Sequence, residues 1–181
     1  AAWPALEEID LGGWVARYSG DAIRRTGSLN PLPGGGELDA AMITANEWFY
    51  FERKKPALVR YPDFLPDRSG LFSDRGYQPE GQTLTLLASD IAALSQQTDL
   101  VAVKTRPDAD WMAARARIIS GDQQVFEMML GRIACSALLT SVIIDGTIAA
   151  IAYGVVIDHL LIIESVATEP AFQGRGLARA M

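Results

Sequence analysis

Glu169 to Met181 reads EPAFQGRGLARAM, and it decides the fold because it joins the end of an apolar strand to the start of a helix through a glycine-punctuated loop. Upstream, Leu160 to Thr168 (LLIIESVAT) reads as a strand by its β-branched content. Pro170 removes a ladder donor, and Gly174 and Gly176 permit tight backbone curvature. The first N–H groups of a helix lack intrahelical partners and carry the positive end of the macrodipole, so the amides of this loop can converge on an anion such as a pyrophosphate. Two nucleotide motifs fail here. No Lys follows either glycine, as G-x-x-x-x-G-K-[ST] requires, and Arg179 stands where G-x-G-x-x-G needs its third Gly.

Working outward, Leu138 to Ile144 and Thr147 to Ile157 are apolar strands joined by Asp145-Gly146, a two-residue turn favoured between antiparallel strands. Asp158-His159 turns the chain into Leu160 to Thr168. Before these lie a short strand at Leu100 to Thr105 and two helices, Asp110 to about Gly121 and Gln123 to Arg132. The N-terminal part reads as strands at Trp14 to Ser19 and Ala22 to Leu29 joined at Gly20-Asp21. A loop over Pro31 to Gly36 follows, then a helix from Glu37 to about Arg53, a strand at Ala57 to Tyr61, a helix at Asp67 to Arg75 and a strand at Gln82 to Ala88. The opening AAWPALEEID reads as the tail of a helix.

Sliding the chain against itself by 139 residues aligns Asn30 to Met42 (NPLPGGGELDAAM) with the C-terminal loop without a gap. Pro31, Gly35, Leu38, Ala41 and Met42 match Pro170, Gly174, Leu177, Ala180 and Met181. A decayed internal repeat is the reading adopted, although any Gly-rich loop before an Ala-rich helix would score something. Glu37 takes the place of Gly176, and a carboxylate in an anion cradle repels the anion, so the first copy is expected not to bind one.

With 49% hydrophobic and 21% charged residues, 181 residues can bury a core. The apolar stretches fall short of the roughly 20 residues a membrane span needs, and no signal-peptide pattern opens the chain. One cysteine, Cys135, excludes an internal disulfide, and with His159 as the one histidine no zinc cluster is expected. These features fit a cytoplasmic protein. The net charge of −6 argues against nucleic-acid binding.

Gln173 to Ala178 fits [Q/R]-x-x-G-x-[G/A], and with the preceding hairpin, apolar strand and Pro the stretch from about residue 100 to 181 resembles the GNAT superfamily of N-acetyltransferases. The resemblance implies an α/β (α+β) fold, a mostly antiparallel mixed sheet flanked by helices. Residues 1–88 would form a degenerate half-domain, 89–99 a linker, and 100–181 an acetyl-CoA-binding domain that is expected to continue beyond Met181. LFSDRGY (Leu71 to Tyr77) is similar to the family's late helix end, which supports the half-domain reading.

The resemblance further implies acetyl transfer from acetyl-CoA to a small-molecule or peptide amine, without a metal, by direct transfer. Val166, Ala167 and Thr168 would contact the acetyl and pantetheine portions through the main chain, where the strand bulges and frees an amide. Gln173, Gly174, Arg175, Gly176, Leu177, Ala178 and Arg179 would hold the pyrophosphate. An alkylamine is almost wholly protonated at neutral pH, so a base is needed, and Glu164 occupies a position where relatives carry an acidic residue. Its alternative is a strand carboxylate facing solvent or paired with an Arg. Relatives draw the leaving-group proton from a Tyr on a helix beyond the loop, for which no candidate stands before Met181. A homodimer is compatible with this reading, and neither nucleic acid nor membrane is an expected partner. A non-catalytic acyl-CoA-binding module and a plain interaction domain are the alternative classes.

The remaining conspicuous residues read as structural. Trp3, Trp14, Trp48 and Trp111, with Phe49, Tyr50 and Phe51, suit packing, while Trp111 and Met112 could also line an acceptor pocket. His159 suits a turn and Cys135 a buried position. Arg24 and Arg25 are expected on a strand facing acidic neighbours.

Overall fold

A computed structural model of the chain describes residues 2–20, 23–89 and 99–181. The fold is mixed α+β with two antiparallel sheets, divided between two compact units, Ala5–Leu94 and Ala1–Pro4 with Ser95–Met181. The second unit is therefore discontinuous in sequence.

In the unit of residues 5–94, β1 (Glu7–Asp10), β2 (Trp14–Tyr18) and β3 (Leu29–Pro31) form a three-stranded sheet in that order. Two helices follow, α1 (Ala40–Glu52) and α2 (Ser69–Ser73). The Asp39 carboxylate accepts from the Met42 amide at 2.8 Å, satisfying one of the orphan donors that open α1. Trp14, Ala16, Leu29, Leu38, Ile43, Phe49 and Tyr50 make the core. The Trp14 indole donates to the Gly36 carbonyl at 2.9 Å, and the Tyr50 hydroxyl donates to the Arg17 carbonyl.

Several expectations fail in this unit for local reasons. Among the described residues, 2–6 before β1 are not helical. The strand expected from Ala22, a residue outside the described ones as is Asp21 of the preceding turn, is instead a 3-10 turn at Arg24–Thr26. There the Ser28 hydroxyl donates to the Arg24 carbonyl at 2.6 Å and the Thr26 hydroxyl to that of Ile23 at 3.3 Å, local bonds that compete with a ladder. Arg24 accordingly pairs with Glu80 rather than lining a strand. Ala57 to Tyr61 contributes a single parallel bridge, Val59 to Leu29. Gln82 to Ala88 pairs with no described strand and leaves Leu84, Leu86 and Leu87 exposed. Of the aromatic run on α1, Phe49 and Tyr50 are buried while Trp48 and Phe51 are exposed, because the run spans more than one helix face. Apart from Ser89 and Asp99, the expected linker over 89–99 lies outside the described residues.

In the other unit, β4 (Val101–Lys104), α3 (Ala109–Ile118) and α4 (Gln123–Gly131) precede a meander of β5 (Ser136–Ile144), β6 (Thr147–Ile157) and β7 (Leu160–Thr168). A 3-10 turn (Pro170–Phe172) and α5 (Leu177–Ala180) follow. The sheet order is β4-β5-β6-β7, all antiparallel, so β7 is an edge strand. Asp108 caps α3 and Asp122 caps α4. Asp145 and Gly146 both take positive φ, 49° and 76°, as a right-twisted two-residue hairpin requires.

Each face of this sheet has its own cover. Trp111 and Ala114 of α3 and Phe126 and Met129 of α4 pack on Leu139, Ile151, Tyr153 and Val155. Trp3 adds a tilted ring contact to Phe126 and an edge contact to Tyr153, and the Tyr153 hydroxyl donates to the Ala2 carbonyl. Arg115 is buried here as well. Its guanidinium stacks 3.5 Å from the Phe126 ring centroid and donates to Gln123, and burial lowers its pKa. On the opposite face Leu177 packs with Val142, Ala149 and Ala150. No helix among the described residues is long and apolar enough to cross a membrane.

Candidate functional site

The site begins with an irregularity in β7. Tyr153 pairs with Glu164 and Ile151 with Ala167, so two residues of β7, Ser165 and Val166, stand opposite the single residue Ala152. This is a β-bulge, and Ser165 adopts φ 49°, a left-handed conformation uncommon outside glycine, Asn and Asp. The extra residue interrupts the ladder beside an edge that no other described strand covers. The extra residue is thereby left without a partner in the register of the ladder.

The bulge also fixes which side chains face which way, because directly paired residues share a face. Ile162, Glu164 and Ala167 oppose Val155, Tyr153 and Ile151, and so lie on the face covered by α3 and α4. Thr168 opposes Ala150 on the face that receives Leu177, and alternation with Ala167 puts Val166 on that same side. In a regular strand Glu164 would share a face with both Ile162 and Val166; here it shares one with Ile162 and not with Val166. Glu164 and the glycine loop lie towards opposite faces and can address one molecule only across the free edge of β7.

Beyond β7 the chain is pinned at successive points. The Glu169 amide donates to the Ala149 carbonyl at 2.9 Å, the Phe172 amide to Glu169 at 2.8 Å, and the Gln173 side-chain amide to the Thr168 carbonyl at 3.2 Å. Gly174 and Gly176 then take φ 75° and 74°, which a side chain would strain. Leu177, 9% exposed, anchors the start of α5, while Gln173, Gly174, Arg175, Gly176, Ala178 and Arg179 are exposed. Among the described residues no acceptor meets the amides of Gly174, Arg175, Gly176, Leu177 and Ala178. Five consecutive unpaired donors make a concentrated positive potential. Arg175 lies 5.1 Å from the Phe172 ring centroid and donates weakly to the Ala171 carbonyl at 3.4 Å.

The loop that aligns with this one at the 139-residue offset differs. Glu37 is held by Arg68, and Leu38 is buried as Leu177 is. At the same 139-residue spacing Trp14 corresponds to Tyr153 and Ala16 to Val155, each buried.

Trp111, 1% exposed, belongs to the core and Met112 packs against it. His159 is an exposed turn residue and Cys135 a half-buried free thiol. Two residues of interest escaped the sequence reading. Ser165 carries no local signal for a left-handed conformation, and Arg117 meets Glu169 only through the tertiary fold.

A strand bulged beside an open edge is followed directly by a loop of unpaired amides. The chain is a member of the family described as probable histone acetyltransferase Rv0428c C-terminal, whose family model matches residues 1–177. No curated protein and no solved structure matches it. The family is thus titled for a probable acetyltransferase.

Proposed function

We propose that this chain is a GNAT-type N-acetyltransferase that moves an acetyl group from acetyl-CoA to a primary amine by direct transfer. The observation that carries the reading is the run of unpaired amides from Gly174 to Ala178, directly after a bulged edge strand. The family title supports the same chemistry. Acetyl-CoA would supply an activated thioester. Its pyrophosphate would rest on residues 173 to 179, and its pantetheine arm would lie along the free edge of β7 against Val166, Ala167 and Thr168.

Glu164 would take the proton that the attacking amine must lose, directly or through one water. A main-chain amide released by the bulge would donate to the thioester oxygen as negative charge develops there. The new C–N bond forms as the C–S bond breaks, and the thiolate takes a proton from solvent and leaves as the thiol, which balances the proton given up by the amine. A cationic acceptor such as a lysine-bearing peptide suits a chain of net charge −6 and agrees with the family title.

Binding is tested by thermal unfolding with CoA, ATP and NAD. Saturation at 100 times the Kd stabilises the native state by about 2.7 kcal/mol if the ligand binds only that state. CoA should raise the melting temperature most. Equal shifts with all three, or none with CoA, would sink the assignment.

A further inference from the structure

We infer that Arg117, in the last turn of α3, is a positioning residue for the cofactor loop, an inference that rests on the acetyl-CoA reading above. Its Nε donates to the Glu169 carboxylate at 2.9 Å and its Nη2 to the Ile148 carbonyl at 2.7 Å. One planar guanidinium thus ties three elements together: α3, the start of β6, and the first residue after β7. Glu169 is the residue at which the edge strand gives way to the loop, and its own amide is fixed to Ala149, the neighbour of Ile148. The acidic residue nearest the cradle is therefore held from both its backbone and its side chain.

The geometry needs an arginine. A lysine ammonium is a single point of charge, whereas a guanidinium reaches a carboxylate and a carbonyl in fixed directions at once. The pair is partly solvated, with side chains 43% and 24% exposed, so its worth lies less in global stability than in where it places the chain. Releasing Glu169 would leave the Pro170–Phe172 turn free to shift, and the unpaired amides that follow would shift with it.

The test is a double-mutant cycle read by CoA affinity, with melting of the unliganded protein measured alongside. Arg117→Gln and Glu169→Gln should each weaken CoA binding by about three- to tenfold, and the double variant should be no worse than either. Unliganded melting should stay within about 2 °C of the parent, since the pair is partly exposed. Arg117→Lys should recover only part of the loss. Unchanged affinity in Arg117→Gln overturns the inference. So does a Glu169→Gln variant that binds as well as or better than the parent, because Arg117 would then merely mask a repulsive charge. Losses that multiply in the double variant, or that track a large fall in melting temperature, also overturn it. Absence of CoA binding by the parent chain overturns the acetyl-CoA reading itself, whereas parent binding with an unaffected Arg117→Gln overturns this inference alone.

Discussion

Tyr153 and Glu164 face each other across β6 and β7, and along β7 they are the last pair before the ladder slips. A carboxylate is thereby held one residue from the bulge, on the face where Tyr153 meets Phe126 and Trp3. If Glu164 deprotonates the acceptor, Glu164→Gln should lower the acetylation rate by about 10²- to 10⁴-fold and leave CoA affinity nearly unchanged. Steady-state kinetics with a lysine peptide, paired with a binding titration, decide it. An unchanged rate means that the base lies elsewhere.

Deleting Ser165 tests the bulge by itself. The flanking pairs, Tyr153 with Glu164 and Ile151 with Ala167, are those of a regular ladder once one residue is removed. The variant should fold, with stability equal or higher by about 1 kcal/mol, because a left-handed residue is lost. Its acetylation rate should nonetheless fall by about 10²-fold or more, the usual consequence of losing one oxyanion donor. Circular dichroism melting and a turnover assay suffice, and a stable variant with full activity would remove the bulge from the mechanism.

Gly176 has no atom within contact distance of where a side chain would begin, so space does not demand glycine there. Its φ of 74° does. Gly176→Ala should cost about 1 kcal/mol and weaken CoA binding moderately, while Gly176→Glu should abolish it by adding a carboxylate to the cradle. The comparison is made by CoA-induced melting shift, and a Glu variant that still binds would show that the anion sits elsewhere.

How much of this was legible from the sequence depended on whether the determinant was local. Asp145-Gly146 announces its hairpin because both residues tolerate the positive φ the turn imposes, and the glycines of the C-terminal loop announce theirs likewise. Asp108 and Asp122 cap helices whose starts fell within a residue or so of expectation. By contrast, Leu84 and Leu86 alternate as a strand should, yet alternation cannot supply a partner. Arg117 and Glu169 lie 52 residues apart, so no window along the chain connects them. The resemblance located the loop and the strand before it, and the change of face at Val166 followed from a conformation that Ser165 does not advertise.

Alkaline pH should destabilise the unit of residues 5–94. Burial, reinforced by the Glu47 carboxylate, pushes the Tyr77 phenol up to about 12, and burial raises Tyr50 as well. A folded-state pKa above the unfolded value means that the stabilising contribution is full below about pH 10 and is lost as pH rises towards 12. The unit of residues 5–94 should therefore melt at progressively lower temperature above pH 10, and Tyr77→Phe should flatten that slope. A slope unchanged by the substitution would assign the effect to other groups.

The discontinuity of the second unit has a consequence for synthesis. Ala2 and Trp3 leave the ribosome some 150 residues ahead of Tyr153, the residue that receives them. At roughly 5–20 residues per second they wait on the order of ten seconds or more, while residues 5–94 have emerged and are able to fold. An exposed indole must stay uncommitted throughout that interval. Growth conditions that slow elongation should then lower the yield of correctly closed protein more than they lower the yield of a Trp3→Ser variant, which has no indole to misplace.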